Sequence, residues 1–371
     1  MIDFANRDLF EPVTHPDSGV TVHVLSRKVA PVQEAFYFVN DSMSADARYL
    51  WFYCAFPPSG TAHLGRSLGV LDFRTGETRH CPETQFGGAS PWIDPDTGEA
   101  YWMHDRFVWR RGPQPDAPVE LVNAIPEEVL GNRRISRMAT HLTRSVDGRE
   151  LFVDFGMGLQ WIFGSLPLDG KDFQLWHRFD RLYNHAQFSP ADPDLVLFAE
   201  ENHPDPVTGL TFPIRNRMWT LRRGETPQPI FSEPTRVSHE WWDNDGEHVW
   251  CVAGHETWRV RISDSAIERL EFPHHCWHSH CSRDARLIVC DSNQGFYRGC
   301  ASGVYFFNRE TGKEVMLVDN PPRPDYAGKH YHIDPHPRFC AGDQYIVFTT
   351  TIRGEVDVAM ISVRDLIDKT S

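Results

Sequence analysis

The chain has 371 residues, of which 40% are hydrophobic and 12% aromatic, and its formal net charge is −14 at pH 7. This acidic balance argues against a nucleic-acid or membrane-surface partner, because either would select a basic face. No apolar run approaches the roughly 18 residues needed to span a bilayer, and no targeting pattern opens the chain. We therefore expect a soluble, cytoplasmic protein in which residues 1–371 form one domain.

Short strand-like runs separated by turn residues recur along the whole chain. The first is an isolated strand at 19–26, and units near 36–79 and 89–122 follow. Further units begin at Arg134, Leu182, Arg236, Cys276 and Tyr331. Helical periodicity is confined to 126–132 and 363–368.

The units repeat with a period of about 40 to 55 residues, which is typical of a β-propeller. Seven units are present, and the last has strands at 334–339, 344–350 and 356–363 without a convincing fourth. Pairing of the N-terminal strand with this last unit would close the ring and cover an exposed sheet edge. The sequence therefore predicts an all-β, seven-bladed β-propeller whose ring is closed by an N-terminal strand joining the last blade.

The eight cysteines include no CxxC pair, and several lie in strand-like runs. This pattern favours reduced, buried thiols over a cysteine zinc site. A glycine-rich phosphate loop, a G-x-S-x-G motif and an HExxH motif are all missing from the sequence, so nucleotide chemistry and serine hydrolysis lack support.

Five histidines occupy one recurring place, where a histidine is followed by a DG-like turn and a β-rich run. They are His141, His185, His239, His278 and His336. If each unit is a blade, these side chains start innermost strands and point at one axial funnel. The longest loops predicted between second and third strands open on the same face, where function usually resides.

A metal site is predicted in the last two blades, where the histidines are densest: His278, His280, His330, His332 and His336, with Asp334 between the last two. Imidazole and carboxylate ligands suit Mn, Fe or Zn. Strand alternation would place His278 and His280 on the same side of one strand, and His332, Asp334 and His336 on the same side of another. The alternative is a set of hydrogen-bonded residues that plug a wet channel.

A second candidate group is His185, His239 and Arg217. A guanidinium offers a rigid fork for a carboxylate, and a nearby imidazole is a natural base near neutral pH. The alternative for Arg217 is a salt bridge to loop acids such as Glu200 or Asp205.

Residues outside these two groups are assigned weaker roles. His141 and Asn40 are expected to line the channel. His63, Arg137 and Arg298 are candidates for substrate contact.

The stretch that begins at His185, with Arg217-MW, Ser238-HEWW, His278 and Asp334-PHPRF, resembles the seven-bladed-propeller oligogalacturonate lyases, which degrade pectin fragments. The resemblance covers roughly residues 180–350. It implies a divalent ion, foremost Mn²⁺ with Zn²⁺ or Ca²⁺ as alternatives, with His278 and His336 as ligands. Asp334 stands where the family has a histidine, and Tyr331 or His332 would replace a glutamine ligand.

The same resemblance implies that Arg217 and His239 form the catalytic pair, with His185 contacting the substrate. Other uronate lyases with this architecture use histidine, tyrosine and arginine, which draws attention to Tyr183. The expected reaction is β-elimination from short uronic-acid oligosaccharides: a base removes the C5 proton and the C4 oxygen leaves. The alternatives are a lyase for another uronate-containing glycan, a hydrolase or epimerase, and a non-catalytic propeller that binds a partner.

Overall fold

The computed structural model describes residues 2–57, 65–88, 90–138, 141–158, 160–202, 208–211, 213–325 and 333–371. Within these ranges the strands form seven antiparallel sheets of four or five strands each. No helix in the described part of the chain is long and apolar enough to cross a membrane. The predicted seven-bladed β-propeller is confirmed.

The strands follow the chain from blade to blade. The N-terminal pair and the first three blades contain β1 (Phe10–Thr14), β2 (Thr21–Leu25), β3 (Val32–Glu34), β4 (Tyr49–Ala55), β5 (Arg66–Asp72), β6 (Glu77–Phe86), β7 (Trp92–Ile93), β8 (Ala100–His104), β9 (Phe107–Arg111), β10 (Glu120–Ala124), β11 (Arg137–Met138), β12 (Thr143–Arg144), β13 (Glu150–Met157), β14 (Gln160–Pro167) and β15 (Gln174–Phe179). Blades four to six contain β16 (Tyr183–Phe188), β17 (Leu195–Glu200), β18 (Met218–Arg222), β19 (Gln228–Pro229), β20 (Ser238–Trp242), β21 (His248–Ala253), β22 (Glu256–Arg261), β23 (Ile267–Glu271), β24 (Ser279–Cys281), β25 (Leu287–Asp291), β26 (Ser302–Asn308) and β27 (Lys313–Asn320).

The last blade contains strands from both ends of the chain. Its strands from the C-terminal part are β28 (Arg338–Cys340), β29 (Tyr345–Thr350) and β30 (Asp357–Ser362). The sheet order is β1-β2-β30-β29-β28, so two N-terminal strands lie outside β30 in this blade. The helices α1 (Glu127–Leu130) and α2 (Val363–Thr370) lie where helical periodicity predicts them.

Apolar side chains fill the spaces between blades. All seven residues of β4, Tyr49–Ala55, are buried, because both faces of this middle strand pack against neighbouring sheets. Further round the ring, the indoles of Trp241 and Trp250 stack with centroids 5.9 Å apart. The packing of both sheet faces explains why middle strands read as continuous apolar runs.

The innermost strands of the first and last blades differ from the prediction: β3 lies before residue 36, where the first unit is predicted to begin, and the last blade's innermost strand starts late. In the first blade β3 ends at Glu34, and the chain then turns so that the Asn40 amide donates to the Tyr37 carbonyl at 3.1 Å. In the last blade the predicted strand at 334–339 begins only at Arg338. Pro335 and Pro337 lack an amide hydrogen and interrupt strand pairing there.

The channel is blocked partway along its length. Arg338 Nη1 donates to the carbonyl oxygens of Phe38 at 2.5 Å and Val39 at 2.6 Å, and lies 2.9 Å from His280 Nε2. Asn40 Nδ2 donates to the carbonyls of Pro91 at 2.7 Å and Leu142 at 2.9 Å, which ties the first blade to its neighbours. The prediction that His278 and His280 face one side is wrong, because they line cavities on opposite sides of this block.

Candidate active site

The five histidines at the recurring position, His141, His185, His239, His278 and His336, are called the register histidines. Three of them share an unusual backbone conformation. The φ angle is 57° at His185, 51° at His239 and 45° at His336, a left-handed region that is uncommon for residues other than glycine. In β16 and β20 the histidine lies where the pairing with the next strand shifts register. Such a bulge re-aims a side chain. The imidazole can therefore turn into the channel.

All five register histidines belong to one group of rings that surrounds Tyr37. The Tyr37 centroid lies 4.8 Å from His141, 4.8 Å from His336, 5.8 Å from His278 and 6.2 Å from His185. His239 joins the group through His278, with centroids 4.3 Å apart. Tyr37 and His336, almost 300 positions apart in sequence, therefore meet at one end of the channel.

A potential metal-binding group lies within this ring cluster. His278, Asp334 and His336 each contribute one donor atom, and these three atoms lie within 4.8 Å of one another. All three side chains are buried. His332, the fourth predicted ligand, lies outside the described residues, as do His330 and Tyr331. Two imidazoles and a carboxylate suit Mn²⁺ or Zn²⁺ better than Ca²⁺, which prefers an all-oxygen shell.

Asp291, at the end of β25, connects the two histidines of this group. Its carboxylate accepts hydrogen bonds from the backbone amides of His278 at 2.8 Å and His336 at 3.1 Å. Its Oδ2 atom also lies 3.0 Å from His278 Nδ1. A carboxylate at Nδ1 favours the tautomer with a free lone pair on Nε2. Among the described residues, this buried Nε2 has no hydrogen-bond partner, and it therefore fits the role of a metal ligand.

Arg217 lies in a buried cluster with two glutamates. Its Nε donates to Glu240 at 2.7 Å and its Nη1 to Glu201 at 2.5 Å. The salt-bridge alternative for Arg217 is therefore observed, although with Glu201 and Glu240 instead of Glu200; Asp205 lies outside the described residues. His185 lies between the same carboxylates, 3.5 Å from Glu201 and 3.9 Å from Glu240.

Burial determines the protonation of the ionisable groups here. Burial and nearby cationic groups lower the pKa values of His185 and His239 well below the ordinary value, so both imidazoles are neutral at neutral pH. Burial lowers the pKa of Arg217, but Glu240 and Glu201 outweigh this effect and raise it overall, so the guanidinium remains charged. Burial and Glu240 raise the pKa of Tyr37 well above its ordinary value, which keeps its hydroxyl protonated.

The ring group borders a cavity of about 360 Å³. Its walls carry His185, His239, His278, His336, Tyr37, Arg217 and Glu201. Exposed Arg137 reaches the same cavity from β11, and Arg66 faces it while paired to Glu34 at 3.0 Å. A cavity of this size accommodates a small ligand, and its charged walls favour a polar one.

Two of the predicted substrate-contact residues lie elsewhere, and one lies outside the described residues. The ring of Tyr183 packs between blades against Phe179, Phe198 and Trp219, with centroids 4.4, 5.6 and 5.9 Å away. Arg298 is exposed at the end of a 3-10 turn, with its guanidinium over the Tyr297 ring. Neither residue lines the cavity of the histidine group. His63 lies outside the described residues, and His141 is fully buried against Tyr37.

Four residues of the site are not predicted from the sequence: Tyr37, Glu201, Glu240 and Asp291. Glu240 directly follows the register histidine His239, and this position weakly indicates that Glu240 lies near the site. Asp291 ends a middle strand as a charged residue after four buried apolar ones, which is unusual unless the carboxylate is paired. Tyr37 and Glu201 carry no comparable signal.

No protein-family model matches the chain, and no curated protein sequence matches it. Its structure is similar to that of an oligogalacturonate lyase in complex with manganese, at TM-score 0.75 and 17% identity over 95% of this chain and 96% of that one. The structure of an oligogalacturonate lyase from Vibrio parahaemolyticus matches with the same values. This likeness, which extends over almost the whole chain, establishes that the protein has the seven-bladed fold of those oligogalacturonate lyases.

Proposed function

We propose that this protein is a metal-dependent lyase that cleaves short uronic-acid oligosaccharides by β-elimination. One observation carries the proposal: a buried group of nitrogen and oxygen donors, His278, Asp334 and His336, lies beside the neutral imidazole of His239 at the wall of a cavity that also carries charged side chains. Elimination next to a carboxylate needs positive charge for the developing negative charge and an unprotonated base for the proton. The similarity to oligogalacturonate lyases makes galacturonate the first sugar to test.

The resident ion in this proposal is Mn²⁺, with Zn²⁺ as the alternative that the same donors favour. A divalent ion in this position would neutralise the substrate carboxylate and acidify the adjacent C5 proton. His278 and His336 would hold it through nitrogen and Asp334 through oxygen, and Asp291 would fix the ring of His278 and the backbone of His336. The fourth predicted ligand, His332, remains part of the proposal.

His239 is assigned as the base and Arg217 is not. A base must be unprotonated before it accepts a proton, and the lowered pKa of His239 meets this condition. Ser238 Oγ lies 3.1 Å from His239 Nδ1, which leaves Nε2 for the C5 proton if Nδ1 donates to the serine. Arg217 is held charged by two carboxylates, so it acts through its positive charge.

Tyr37 is assigned as the proton donor to the leaving group. In the reaction the C5–H electron pair forms the C4–C5 double bond, the C4–O4 bond breaks, and O4 takes up a proton. The raised pKa of Tyr37 keeps a proton on its hydroxyl, and its ring lies beside four of the histidines. His185 and exposed Arg137 are assigned to substrate contact, Arg137 because its charge can pair with a second uronate. His63 lies outside the described residues and stays a predicted contact residue. Tyr183 and Arg298 lie away from the cavity and His141 is fully buried, so none of the three is assigned a contact with the substrate there.

All eight cysteines are free, which supports the cytoplasmic location that we propose.

The test is to incubate metal-depleted and Mn²⁺-loaded protein with digalacturonate, trigalacturonate and other uronides while following the near-ultraviolet absorbance of an unsaturated uronate. We expect absorbance to rise with the Mn²⁺-loaded protein, and the product masses to sum to that of the substrate. His239→Gln should abolish the signal, whereas the matched control His104→Gln, at an exposed histidine outside the cavity, should retain it. Products whose masses sum to substrate plus water would identify a hydrolase, and no turnover of any uronide would favour a binding module.

A further inference from the structure

A second cluster of metal-ligand side chains lies in the sixth blade, apart from the group proposed for catalysis. Donor atoms of His274, Cys276 and Cys290 lie within 4.8 Å of one another. Both cysteines are buried, with 0% and 1% of their surface exposed, while the His274 side chain retains 12%. None of these residues has a place in the proposed reaction.

The distance between the sulfurs matches a tetrahedral zinc site. Cys276 Sγ and Cys290 Sγ are 3.8 Å apart, which is far beyond a disulfide bond. Zinc–thiolate bonds are about 2.3 Å long, and the edge of a tetrahedron is about 1.6 times the centre-to-corner distance, which gives roughly 3.8 Å between two thiolate ligands. The cysteines are therefore already at the separation that one zinc ion requires.

The histidine of the cluster is supported in the way that metal-binding histidines usually are. His274 Nε2 lies 2.9 Å from a carboxylate oxygen of Glu314 on β27, and its ring stacks on Tyr305 of β26 with centroids 3.6 Å apart. A carboxylate on the distal nitrogen fixes the tautomer and raises ligand basicity. The remaining nitrogen, Nδ1, lies 3.2 Å from the His275 carbonyl, a contact that coordination would replace.

Charge balance also favours a divalent ion. Two thiolates and a divalent cation sum to zero, so the loaded cluster buries no net charge, and unpaired buried charge is costly. The side chains of His274 and Glu314 retain 12% and 22% exposure, so the cluster lies near the protein surface. Sulfur and imidazole donors select Zn²⁺ over Mn²⁺.

We propose that His274, Cys276 and Cys290 form a zinc site with a solvent molecule as fourth ligand, and that Glu314 positions His274. Cys276 and His274 precede β24, whereas Cys290 lies in β25 and Glu314 in β27. The ion therefore links the entry of the sixth blade to β25, and the contact between His274 and Glu314 extends this link to β27. Zinc here stabilises the blade that also supplies His278 and Asp291. The sequence does not predict this site, because thirteen residues separate the two cysteines and no CxxC motif is formed.

The test is a titration of reduced, metal-depleted, full-length protein with Co²⁺, followed by thiolate-to-cobalt charge-transfer absorption in the near ultraviolet. We expect one such Co²⁺ per chain, displaced by Zn²⁺, absent in Cys276→Ser and Cys290→Ser, and retained in the control Cys300→Ser, whose cysteine is exposed. The band should persist in the His278→Ala/His336→Ala double variant, which separates this site from the proposed catalytic one.

Glu314→Gln keeps all three ligands and provides a test that does not depend on a disrupted core. It should weaken Co²⁺ affinity by about 10- to 100-fold, since loss of a carboxylate partner of a metal-binding histidine has that effect. Circular dichroism without metal should match the unaltered protein. The proposal is overturned if folded protein shows no thiolate band, if the band survives in both cysteine variants, or if the isolated protein contains a Cys276–Cys290 disulfide.

Discussion

Replacement of Asp291 by asparagine should weaken Mn²⁺ binding even though Asp291 is not itself assigned as a ligand. In the structure its carboxylate accepts from the backbone amides of His278 and His336 and lies 3.0 Å from His278 Nδ1. Asparagine has the same shape but only one oxygen. If this oxygen accepts from His278, the new NH₂ group faces the amide hydrogen of His336.

These contacts predict two effects of the substitution, one on stability and one on metal affinity. A buried amide hydrogen left without an acceptor costs about 1–3 kcal/mol of unfolding free energy. Loss of the carboxylate partner of a ligating histidine lowers metal affinity by about 10- to 100-fold, because the tautomer and ring orientation are no longer fixed. Asp291→Asn should therefore show both effects, whereas a purely structural residue would show only the first.

Mn²⁺ affinity would be measured from the electron paramagnetic resonance signal of free Mn²⁺, and unfolding free energy from denaturant titration without metal. Asp243→Asn is a matched control, because Asp243 is another buried carboxylate with several partners in a neighbouring blade. The control should lose stability and retain affinity. Affinity of Asp291→Asn within twofold of the unaltered protein would refute the reasoning.

Three further predictions concern catalysis and stability. His239→Ala should retain Mn²⁺ and lower kcat by at least about 100-fold, since it removes a general base; unchanged kcat would reassign the base. Arg137→Met should raise KM about tenfold with kcat nearly unchanged, because one charge-assisted hydrogen bond contributes about 1.5 kcal/mol; a fall in kcat alone would contradict its assignment to binding. Burial raises the pKa of Asp154 from 3.8 to about 7. The protonated carboxyl therefore stabilises the folded protein fully below pH 3.8, and this stabilisation is lost as the pH rises through 7. The unfolding free energy of Asp154→Asn relative to the unaltered protein should rise by about 1.4 kcal/mol per pH unit between pH 5 and 7 and then level off; a flat difference would contradict this.

The propeller was predictable because its signal is repeated in every blade. Each unit must bury both faces of its middle strands, so apolar runs and turn residues recur at a fixed period. The histidine register follows from the same repetition, because equivalent positions in different blades meet at one axis. No single unit would have carried this inference.

The unpredicted features arise where one blade departs from the repeat. Tyr37 enters the channel from the turn that follows β3 in the first blade, where the sequence predicts a strand. Strand alternation predicts His280 beside His278, but His278 precedes β24, and Arg338 contacts His280 on the other side of the channel block. Such departures depend on contacts between distant residues, which a local pattern does not encode.

The roles of Glu240 and Asp291 illustrate the same limit. Each is a buried carboxylate whose partner lies elsewhere in the chain: Arg217 is 23 positions from Glu240, and His336 is 45 positions from Asp291. The sequence indicates only that an acidic residue lies in an apolar strand. The fold is needed to show which cation or amide it faces.

The central claim is that His278, Asp334 and His336 hold a divalent cation beside the base His239. The most direct measurement is the affinity and stoichiometry of Mn²⁺ for the unaltered protein and for His278→Ala, His336→Ala and His239→Ala. We predict one tight Mn²⁺ per chain, an affinity at least about 100-fold weaker in the two ligand variants, and near-normal affinity in His239→Ala. Equal Mn²⁺ binding by all four proteins would contradict the assignment of the metal centre.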